Sequence, residues 1–317
     1  MRAAADREET AWPGAAGGAL LVVGDVATDV VARHTEPLTY GTDTTAEILT
    51  LPGGAGANAA CWAAYSGCAD VRLLGRVGAG GAEWHGTLLR DSGVRPTLIP
   101  DEEAPTATIV ALVDAKAERT FLTDGGAALR LCPADWSAGL LDGVAGLHLS
   151  GYLFFSGPSR ELAGLALADA LERGVPVSVD PASAGFIAAM GVDRFLTAAA
   201  GAAVLLPNAD EAGLLTGLPD PADAAAELSR HVPLAVVTLG AGGALVAESG
   251  AVTARVAPVP ATAVDSTGAG DAFTGAFLAA LLSGASPVDA ASAGCRAGAH
   301  AVTVRGGRPP GSTGTRP

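Results

Sequence analysis

Residues 263–277 read AVDSTGAGDAFTGAF and combine glycine, an acid and the start of a helical pattern within a few positions. Gly268, Ala269 and Gly270 precede an apolar helix pattern that begins at about Asp271. Small residues let a ligand approach the backbone, and the first N–H groups of a helix have no intrahelical partner, so this turn predicts an anion site. Asp271 fits two interpretations: an acid that compensates the helix dipole, or a base held beside the anion.

Two acids follow the first predicted strand. Residues 19–23 form a short apolar run, which is typical of a buried parallel strand, and the run is followed by GDVATD. Asp25 and Asp29 therefore lie near the carboxyl end of a strand, where open α/β sheets bind their ligands. Acids also favour turns, so ligand contact and turn formation are equally open for these two residues.

A second glycine-rich turn, PGGAGANAACWAAYSG, leads into an alanine-rich helix. Gly54, Gly56 and Ala59 satisfy the G-x-G-x-x-A pattern of dinucleotide sites. Asp70 and Arg76 follow roughly where a ribose or 2′-phosphate partner is expected, so a dinucleotide-binding oxidoreductase is an alternative function. Two features weaken it, because Asp70 precedes its strand instead of ending it and a proline stands just before the glycines.

Two further strand ends carry motifs. In LLPNADEAGLLTG, Asn208 and Glu211 open a helix, and Asn at the N-cap with Glu three residues later is also a capping box. In VVTLGAGGALV, Gly240, Gly242 and Gly243 predict a tight turn between two strands. Local geometry alone accounts for both motifs, so a ligand role needs further support.

The composition argues against several classes of function. Lys116 is the only lysine, so no Walker A motif can be written. A net charge of −14 argues against a nucleic-acid surface. The four cysteines have no Cys-x-x-Cys spacing and no two histidines lie at helical ligand distance, so no zinc site is expected and the cysteines are interpreted as reduced core residues.

The sequence also predicts where the protein works. No apolar run reaches the roughly eighteen residues of a membrane span. The N-terminal residues, MRAAADREETAWPG, carry acids where a signal peptide needs an apolar segment. We therefore expect a cytoplasmic protein with no membrane partner.

The 317 residues are enough for one large α/β domain. Residues 19–308 are predicted to form it, between a disordered leader at 1–18 and a disordered tail at 309–317. Two β-like segments, at about 31–51 and 104–123, interrupt the strand–helix rhythm and predict a small separate sheet. Further along, strands and helices alternate, which indicates a mainly parallel sheet covered on both faces.

Four motifs in the same order make the chain resemble the PfkB (ribokinase-like) family of carbohydrate and nucleoside kinases over roughly residues 19–308. DSTGAGDAFTGAF is similar to the family's C-terminal signature and PGGAGANAA to its N-terminal one. The runs PN-x-x-E at 207–211 and T-L-G-x-x-G at 238–243 are similar to its metal-linked and nucleotide-loop motifs. The resemblance implies a three-layer α/β/α fold with a β lid built from the two insertions.

The resemblance also implies a role for each motif in phosphoryl transfer from ATP with Mg²⁺. Asp271 would be the base that takes the proton of the acceptor hydroxyl. The other implied positions are Gly268, Ala269 and Gly270 for an anion hole, Asp29, Gly53, Gly54 and Asn58 for the acceptor, Asn208, Thr238, Gly240 and Gly243 for ATP, Asn208 and Glu211 for Mg²⁺ through water, and Asp265, Ala301 and Gly306 for a monovalent cation such as K⁺.

The resemblance leaves the acceptor open among a sugar, a nucleoside, a sugar acid and a phosphosugar. Ala55 stands where ribokinases often have lysine, and Gly80 where an acid is usual. We favour an unphosphorylated sugar, since no cluster of basic residues appears in the signature loops to receive a second phosphate. Arg33 and Arg119, on the predicted lid, are the main basic residues that speak against this choice.

A third class of function is a catalytically silent regulator that binds a sugar or nucleotide on the same fold. The intact Asp271 and the pair Asn208 and Glu211 argue against it.

The predicted small sheet also suggests an assembly. Such a sheet cannot bury both faces by itself, and its edges are open to pairing. We expect one face to close over the acceptor and the other to pack against a second subunit, which gives a homodimer. Ile48, Leu49, Ile109 and Val110 are the apolar candidates for those faces.

Overall fold

The computed structural model describes residues 17–115 and 119–311, which contain thirteen strands and nine α-helices. The strands are β1 (Ala19–Val23), β2 (Ala27–Arg33), β3 (Glu47–Gly53), β4 (Val71–Gly78), β5 (Val94–Asp101), β6 (Ala107–Val113), β7 (Arg119–Asp124), β8 (Val144–Ser150), β9 (Val177–Asp180), β10 (Val204–Leu205), β11 (Leu234–Thr238), β12 (Ala244–Glu248) and β13 (Ala251–Val256). The helices are α1 (Ala55–Tyr65), α2 (Ala82–Asp91), α3 (Gly157–Glu172), α4 (Ala184–Met190), α5 (Val192–Ala198), α6 (Ala209–Thr216), α7 (Pro221–Leu228), α8 (Ala269–Leu282) and α9 (Pro287–Ala301).

Nine strands form one large sheet in the order β13-β12-β11-β10-β9-β8-β1-β4-β5. The pairs from β11 to β5 are all parallel, whereas β12 pairs in antiparallel fashion with both β11 and β13. In β1, Leu21 packs into the core on one face while Leu20 and Val22 pack into the core on the other. Two buried faces explain why this strand is a continuous apolar run. The predicted α/β sandwich is confirmed.

The two faces are covered by different parts of the chain. Residues of α3 to α7 pack on one face, and residues of α1, α2, α8 and α9 pack on the other. Gly191, with φ 97°, separates α4 from α5, and Gly217, with φ 73°, ends α6 shortly before α7 begins. Positive φ ends a right-handed helix and favours glycine.

The remaining strands form a small sheet in the order β3-β2-β6-β7. It is the predicted lid, but β2 begins at Ala27, earlier than the predicted boundary of 31, so Asp29 belongs to this sheet. In register, Asp29 lies opposite Ile109, and Ala111 lies opposite Phe121. The lid therefore starts directly after the end of β1, which places one of its faces over the edge of the large sheet.

Gly306–Pro309 remains packed against the domain, and Pro309 is buried. The prediction that disorder begins at residue 309 is therefore wrong for Pro309, because the backbone around it is held under the lid. Apart from Gly17 and Gly18, the predicted leader lies outside the described residues, as do residues 312–317 of the tail. Within the described ranges, no helix has the length and apolar character needed to cross a membrane.

Candidate active site

A cavity of about 470 Å³ lies between the carboxyl edge of the large sheet and the inner face of the lid. Six acidic side chains line it. On its floor, Asp25, Asp180 and Glu211 follow the parallel strands β1, β9 and β10, which all end at this edge, and Asp271 lies in α8. Asp29 and Asp124 belong to the lid.

The N-terminus of α8 opens into this cavity. Its N-cap residue, Gly268, has φ 72° and provides no side-chain cap. A Cβ on Gly268 would lie 2.5 Å from the Cα of Gly307, so glycine is required for both conformation and space. Gly270 lines the cavity, and a Cβ there would meet nothing within 4 Å. The sequence prediction of an anion site is consistent with this geometry, since uncapped helix N–H groups bind anions.

Asp271 lies in the first turn of α8 and lines the same cavity. Asn58 donates a hydrogen bond from Nδ2 to Asp271 Oδ2 at 2.8 Å. Burial raises the pKa of Asp271 well above its ordinary value, and the nearby charges of Asp180, Asp25 and Asp29 raise it further. The bond from Asn58 favours the carboxylate and opposes these effects. Asp271 is therefore an oriented carboxylate with raised basicity, which is what a general base requires.

The N–H groups at the N-terminus of α1 are already bound by a side chain. Asp25 accepts hydrogen bonds from the backbone N–H of Ala55 at 2.7 Å and of Gly56 at 3.2 Å. Ser150 also donates its hydroxyl to Asp25 at 2.9 Å. The donors that would bind a pyrophosphate already hold a carboxylate, which would also repel it.

The acid and the arginine expected to bind the ribose of a dinucleotide already form ion pairs within the protein. Asp70 is paired with Arg72 and Arg95. Arg76 forms ion pairs with Asp101 and Asp135. Neither Asp70 nor Arg76 is thus available to a ribose or a 2′-phosphate. The oxidoreductase alternative lacks the site it needs.

The predicted acceptor residues occupy distinct places. Asp29 and Gly54 line the cavity, whereas Gly53 and Asn58 lie behind its wall. A Cβ on Gly53 would lie 2.4 Å from the Asp29 carboxylate, so this glycine makes room for the acid. Asn58 is buried against Asp271 and positions that carboxylate instead of reaching the cavity itself.

Arg308 is a residue that the sequence analysis missed. It is fully buried, and it donates from Nη2 to the carbonyl of Gly53 at 3.4 Å. Within the described residues, its Nε and Nη1 have no hydrogen-bond acceptor. Burial raises the pKa of Asp29 to about 7, and the charge of Arg308 opposes that rise. Arg308 is a buried counter-charge to an otherwise acidic floor, and an arginine within a glycine–proline tail gave no sequence signal for that role.

Asp180, at the end of β9, was also missed. It accepts hydrogen bonds from the N–H of Ala182 at 2.8 Å and from the hydroxyl of Thr274 at 3.2 Å. Burial raises the pKa of Asp180 to about 6 and that of Glu211 to about 7, and the charge of Asp180 adds to the rise at Glu211. Its position after a strand was the only signal that could have identified it.

The capping box at the start of α6 is present. Asn208 Oδ1 accepts from the N–H of Glu211, and Glu211 Oε2 accepts from the N–H of Asn208, both at 2.9 Å. Both residues also line the cavity. Among the described residues, no three acidic, histidine or cysteine side chains converge to hold a metal ion. Mg²⁺ that keeps several waters needs only one or two carboxylates, so Glu211 and Asp180 fit such an ion.

The predicted nucleotide loop follows β11. Thr238 lines the cavity, and its N–H donates to the carbonyl of Pro207 at 2.9 Å. Gly240 and Gly243 have φ values of 54° and 87° and lie outside the cavity lining. A Cβ on Gly243 would be 2.0 Å from the carbonyl oxygen of Val256, so turn geometry alone requires that glycine.

The predicted cation site is built around buried Asp265. Its carboxylate accepts from the N–H of Thr267 at 2.9 Å and of Gly306 at 3.1 Å. Arg33, from β2, places Nη2 3.9 Å from Asp265 Oδ2. Ala301 is buried at the end of α9, one residue before Val302, whose carbonyl accepts the N–H of Asp265. The structure thus brings Asp265 and Gly306 together, with a guanidinium already beside them.

The fold and the cavity together define an enzyme of the phosphoryl-transfer type, with an open helix N-terminus and an acid inside it. The model of the pfkB family carbohydrate kinases matches residues 19–313. The chain belongs to this family, and it is an ATP-dependent carbohydrate kinase.

Individual relatives agree with this placement. The chain is 32% identical to a fructokinase from Klebsiella pneumoniae over 278 residues, which are 83% of this chain and 84% of the relative. The adenosine kinase from Sinorhizobium meliloti superposes with a TM-score of 0.83 at 24% identity, covering 93% of this chain and 97% of that one. A candidate ribokinase II from E. coli, solved in complex with ATP and Mg²⁺, has a TM-score of 0.80 at 22% identity and covers 92% and 94%.

Proposed function

We propose that the protein transfers the γ-phosphoryl group of Mg-ATP to a hydroxyl of a small neutral sugar or of a molecule that contains one. The observation that carries this proposal is the position of Asp271 in the open N-terminus of α8, inside the cavity. Phosphoryl transfer depends mainly on positioning and charge stabilisation, which helix N–H groups and a fixed carboxylate can supply.

Each part of the site has a task in this reaction. Asp271 accepts the proton of the attacking hydroxyl, and Asn58 orients it. The N–H groups of the turn Gly268-Ala269-Gly270 face the oxygens of the transferring phosphoryl group, where charge develops. Asp29 accepts hydrogen bonds from the acceptor hydroxyls, and closure of the lid keeps water away from the phosphoryl group.

The magnesium ion belongs to the same proposal. Glu211 and Asp180 would hold it through water, with Asn208 beside them. The ion supplies positive charge to the β- and γ-phosphates when it is bound. The raised pKa values of Asp180 and Glu211 support this arrangement, because a divalent cation would stabilise the charged forms of two neighbouring acids that lack a counter-charge.

The cavity favours a neutral acceptor. No lysine, arginine or histidine occurs among the described residues of its lining. Arg33, the strongest reason to consider a phosphorylated acceptor, faces Asp265 instead. A sugar acid or phosphosugar would bring a negative charge to a lining with six acidic side chains, which like-charge repulsion disfavours.

An ATP-coupled assay tests the proposed function. It compares ribose, fructose, 2-keto-3-deoxygluconate, the 1- and 6-phosphates of fructose, and adenosine at saturating Mg-ATP. We expect ADP release with at least one uncharged acceptor and little with the acids and phosphates. Faster turnover of the charged acceptors would contradict the neutral-acceptor proposal. Binding of ligands without any ADP release would favour the silent regulator.

We propose that the outer face of the lid forms a homodimer in the cytoplasm. Val30, Val110 and Leu122 follow one another across strands β2, β6 and β7, and Leu122 is 59% exposed. Ile48, on the same face, is 64% exposed. A twofold axis would bury these apolar side chains against the same patch of a second copy. Light scattering should give twice the mass of the chain, and Leu122→Asp should give the monomer, whereas Leu165→Asp, an exposed leucine of α3, should not.

A further inference from the structure

The walls of the cavity differ from its floor. The inner face of the lid contributes Val31, Ile109 and Phe121, and the opposite wall contributes Tyr152 and Phe186. The lid adds polar groups at Asp29, Thr123 and Asp124, and Ser183 lines the opposite wall, but the lid row formed by Val31, Ala111 and Phe121 is apolar. An acceptor that reaches from the floor to the mouth therefore meets carboxylates at one end and apolar side chains at the other.

Aromatic side chains are concentrated at this mouth. The chain has only seven phenylalanines and three tyrosines, yet Phe121, Tyr152 and Phe186 all line the one cavity. Phe186 stacks on Phe155 with ring centroids 5.0 Å apart and an interplanar angle of 23°. Tyr152 meets Phe186 edge-on, at 5.9 Å and 75°. This cluster is a preformed aromatic wall.

Large apolar side chains on both sides of the cavity mouth remain open to solvent. Phe121 is 53% exposed, and Phe186 and Leu129 are each 42% exposed. Large apolar side chains that remain exposed around a cavity mark a place where a ligand covers them. Their position on both sides of the mouth, on the lid and on the domain, fits a flat group held between two walls.

The wall lies on the acceptor side of the cavity. Tyr152 follows β8, which is next to β1, the strand from which the lid departs. The residues expected to meet ATP, Asn208 and Thr238, follow β10 and β11 further along the sheet. The group that meets the aromatic wall therefore belongs to the molecule that receives the phosphoryl group, and not to the adenosine of ATP.

A free sugar does not match a cavity that is acidic at its floor and apolar at its mouth. Its hydroxyls surround the ring, so several would face phenylalanine, valine and isoleucine without a hydrogen-bond partner, and each unpaired group weakens binding. A ribonucleoside carries its hydroxyls at one end and a flat, largely apolar base at the other. Bases stack on aromatic side chains with little regard to their identity.

We propose that the acceptor is a ribonucleoside, whose ribose hydroxyls meet Asp29 and Asp271 while its base lies between Phe121 and Phe186. This inference rests on the proposed kinase function and narrows it to one class of substrate. The ribose hydroxyl attacks the γ-phosphorus of ATP, its proton passes to Asp271, and the bond between the γ-phosphorus and the bridging oxygen breaks to release ADP.

The first test compares acceptors that share a ribose. Adenosine, inosine, guanosine, cytidine, uridine and pseudouridine are assayed beside free ribose and fructose, with ADP release and the phosphorylated product both measured. We expect the best nucleoside to exceed ribose in kcat/KM by about 10- to 100-fold, the range that base stacking provides. Equal or better use of a free sugar overturns this inference and leaves the kinase function standing. No phosphorylation of any acceptor overturns both.

The second test addresses the wall itself. Phe186→Ala should raise KM for the best nucleoside on the order of 10-fold and leave KM for Mg-ATP and for free ribose unchanged. Tyr65→Ala is the matched control, because Tyr65 is 53% exposed but lies outside the cavity. Phe186→Leu should restore only part of the loss. An unchanged nucleoside KM in Phe186→Ala, or an equal rise for ribose, contradicts the proposal.

Discussion

Helices α1 and α8 both begin at glycine-rich turns of similar sequence, but a side chain binds the N–H groups at the start of α1 and none caps the start of α8. At α1, the N–H groups of Ala55 and Gly56 are bound by Asp25. At α8, Gly268 provides no side-chain cap, and Gly270 lies open at the cavity. The first turn is therefore closed and shapes the acceptor side, while the second can receive an anion.

The difference teaches what a glycine pattern can and cannot predict. Glycine supplies close approach and positive φ at both turns, as Gly54 with φ 96° and Gly268 with φ 72° demonstrate. Whether the donors are available depends on a carboxylate thirty residues earlier in the chain, at Asp25, which only the folded structure brings to the helix. Removing or adding a charge at each turn should thus have different effects.

The largest effect is expected from Asp271→Asn. Loss of the base should lower kcat by about 10²–10⁴-fold, while binding of Mg-ATP stays nearly the same. Asp223→Asn is the matched control, because Asp223 is also an acid in the first turn of a helix, α7, but is exposed and remote. Steady-state kinetics and ATP titration give both quantities. If Asp271→Asn and Asp223→Asn behave alike, Asp271 only compensates the helix dipole.

The second effect concerns the pKa of Asp29, on the acceptor side of the cavity, and the buried Arg308. The Asp29 pKa of about 7 means that its neutral form persists to unusually high pH, so KM for the acceptor should fall as pH rises through 7. Arg308→Met removes the charge that lowers this pKa, so the fall should move to higher pH. A shift of one pKa unit, from about 7 to about 8, would raise the acceptor KM about fivefold at pH 7 and about tenfold at pH 6.

The control for this experiment is Arg305→Met, since Arg305 lies in the same segment but pairs with Glu47 at the surface. Asp29→Asn should remove the pH dependence in both the wild-type and the Arg308→Met background. A pH profile of the acceptor KM, measured alongside KM for Mg-ATP, separates this role from a general loss of structure. An acceptor KM profile that is identical in wild type and Arg308→Met would contradict the account.

An effect of similar size is expected from Gly270→Ala at the open turn. A Cβ at Gly270 meets no atom within 4 Å, so the helix should form as before and gain roughly 0.5–1 kcal/mol from the lost chain entropy. The new methyl group narrows the approach to the N–H donors, and kcat should fall on the order of 10-fold, about half the logarithmic loss expected from removing an oxyanion donor. Gly164→Ala in α3, where a Cβ also meets nothing, should stabilise without loss of kcat.

The smallest effect is expected from monovalent cations. Because the guanidinium of Arg33 already places a positive charge beside buried Asp265, replacing K⁺ by tetramethylammonium should change kcat by less than about twofold. Arg33→Ala should make the rate depend on K⁺ more strongly. A large K⁺ requirement in the wild-type enzyme would mean that Arg33 does not replace the cation.

Much of this site follows from sequence. Asp271, the turn before it and the strand-end position of Asn208 and Glu211 were predicted because their spacing is local, and local spacing survives folding. Asp180 and Arg308 were not predicted, since their roles depend on which distant residues lie beside them. The role of Asn58 was misplaced for the same reason: its partner, Asp271, is 213 residues away.

The central claim is that α8, and not α1, receives the transferring phosphoryl group. A crystal structure with Mg²⁺, ADP, aluminium fluoride and an acceptor tests it most directly, because the fluoride complex takes the place of the phosphoryl group. We predict that it lies against the N–H groups of residues 268–271, within hydrogen-bond distance of them, with the acceptor hydroxyl next to Asp271. A fluoride complex bound at Ala55 and Gly56, with Asp25 displaced, would contradict the account.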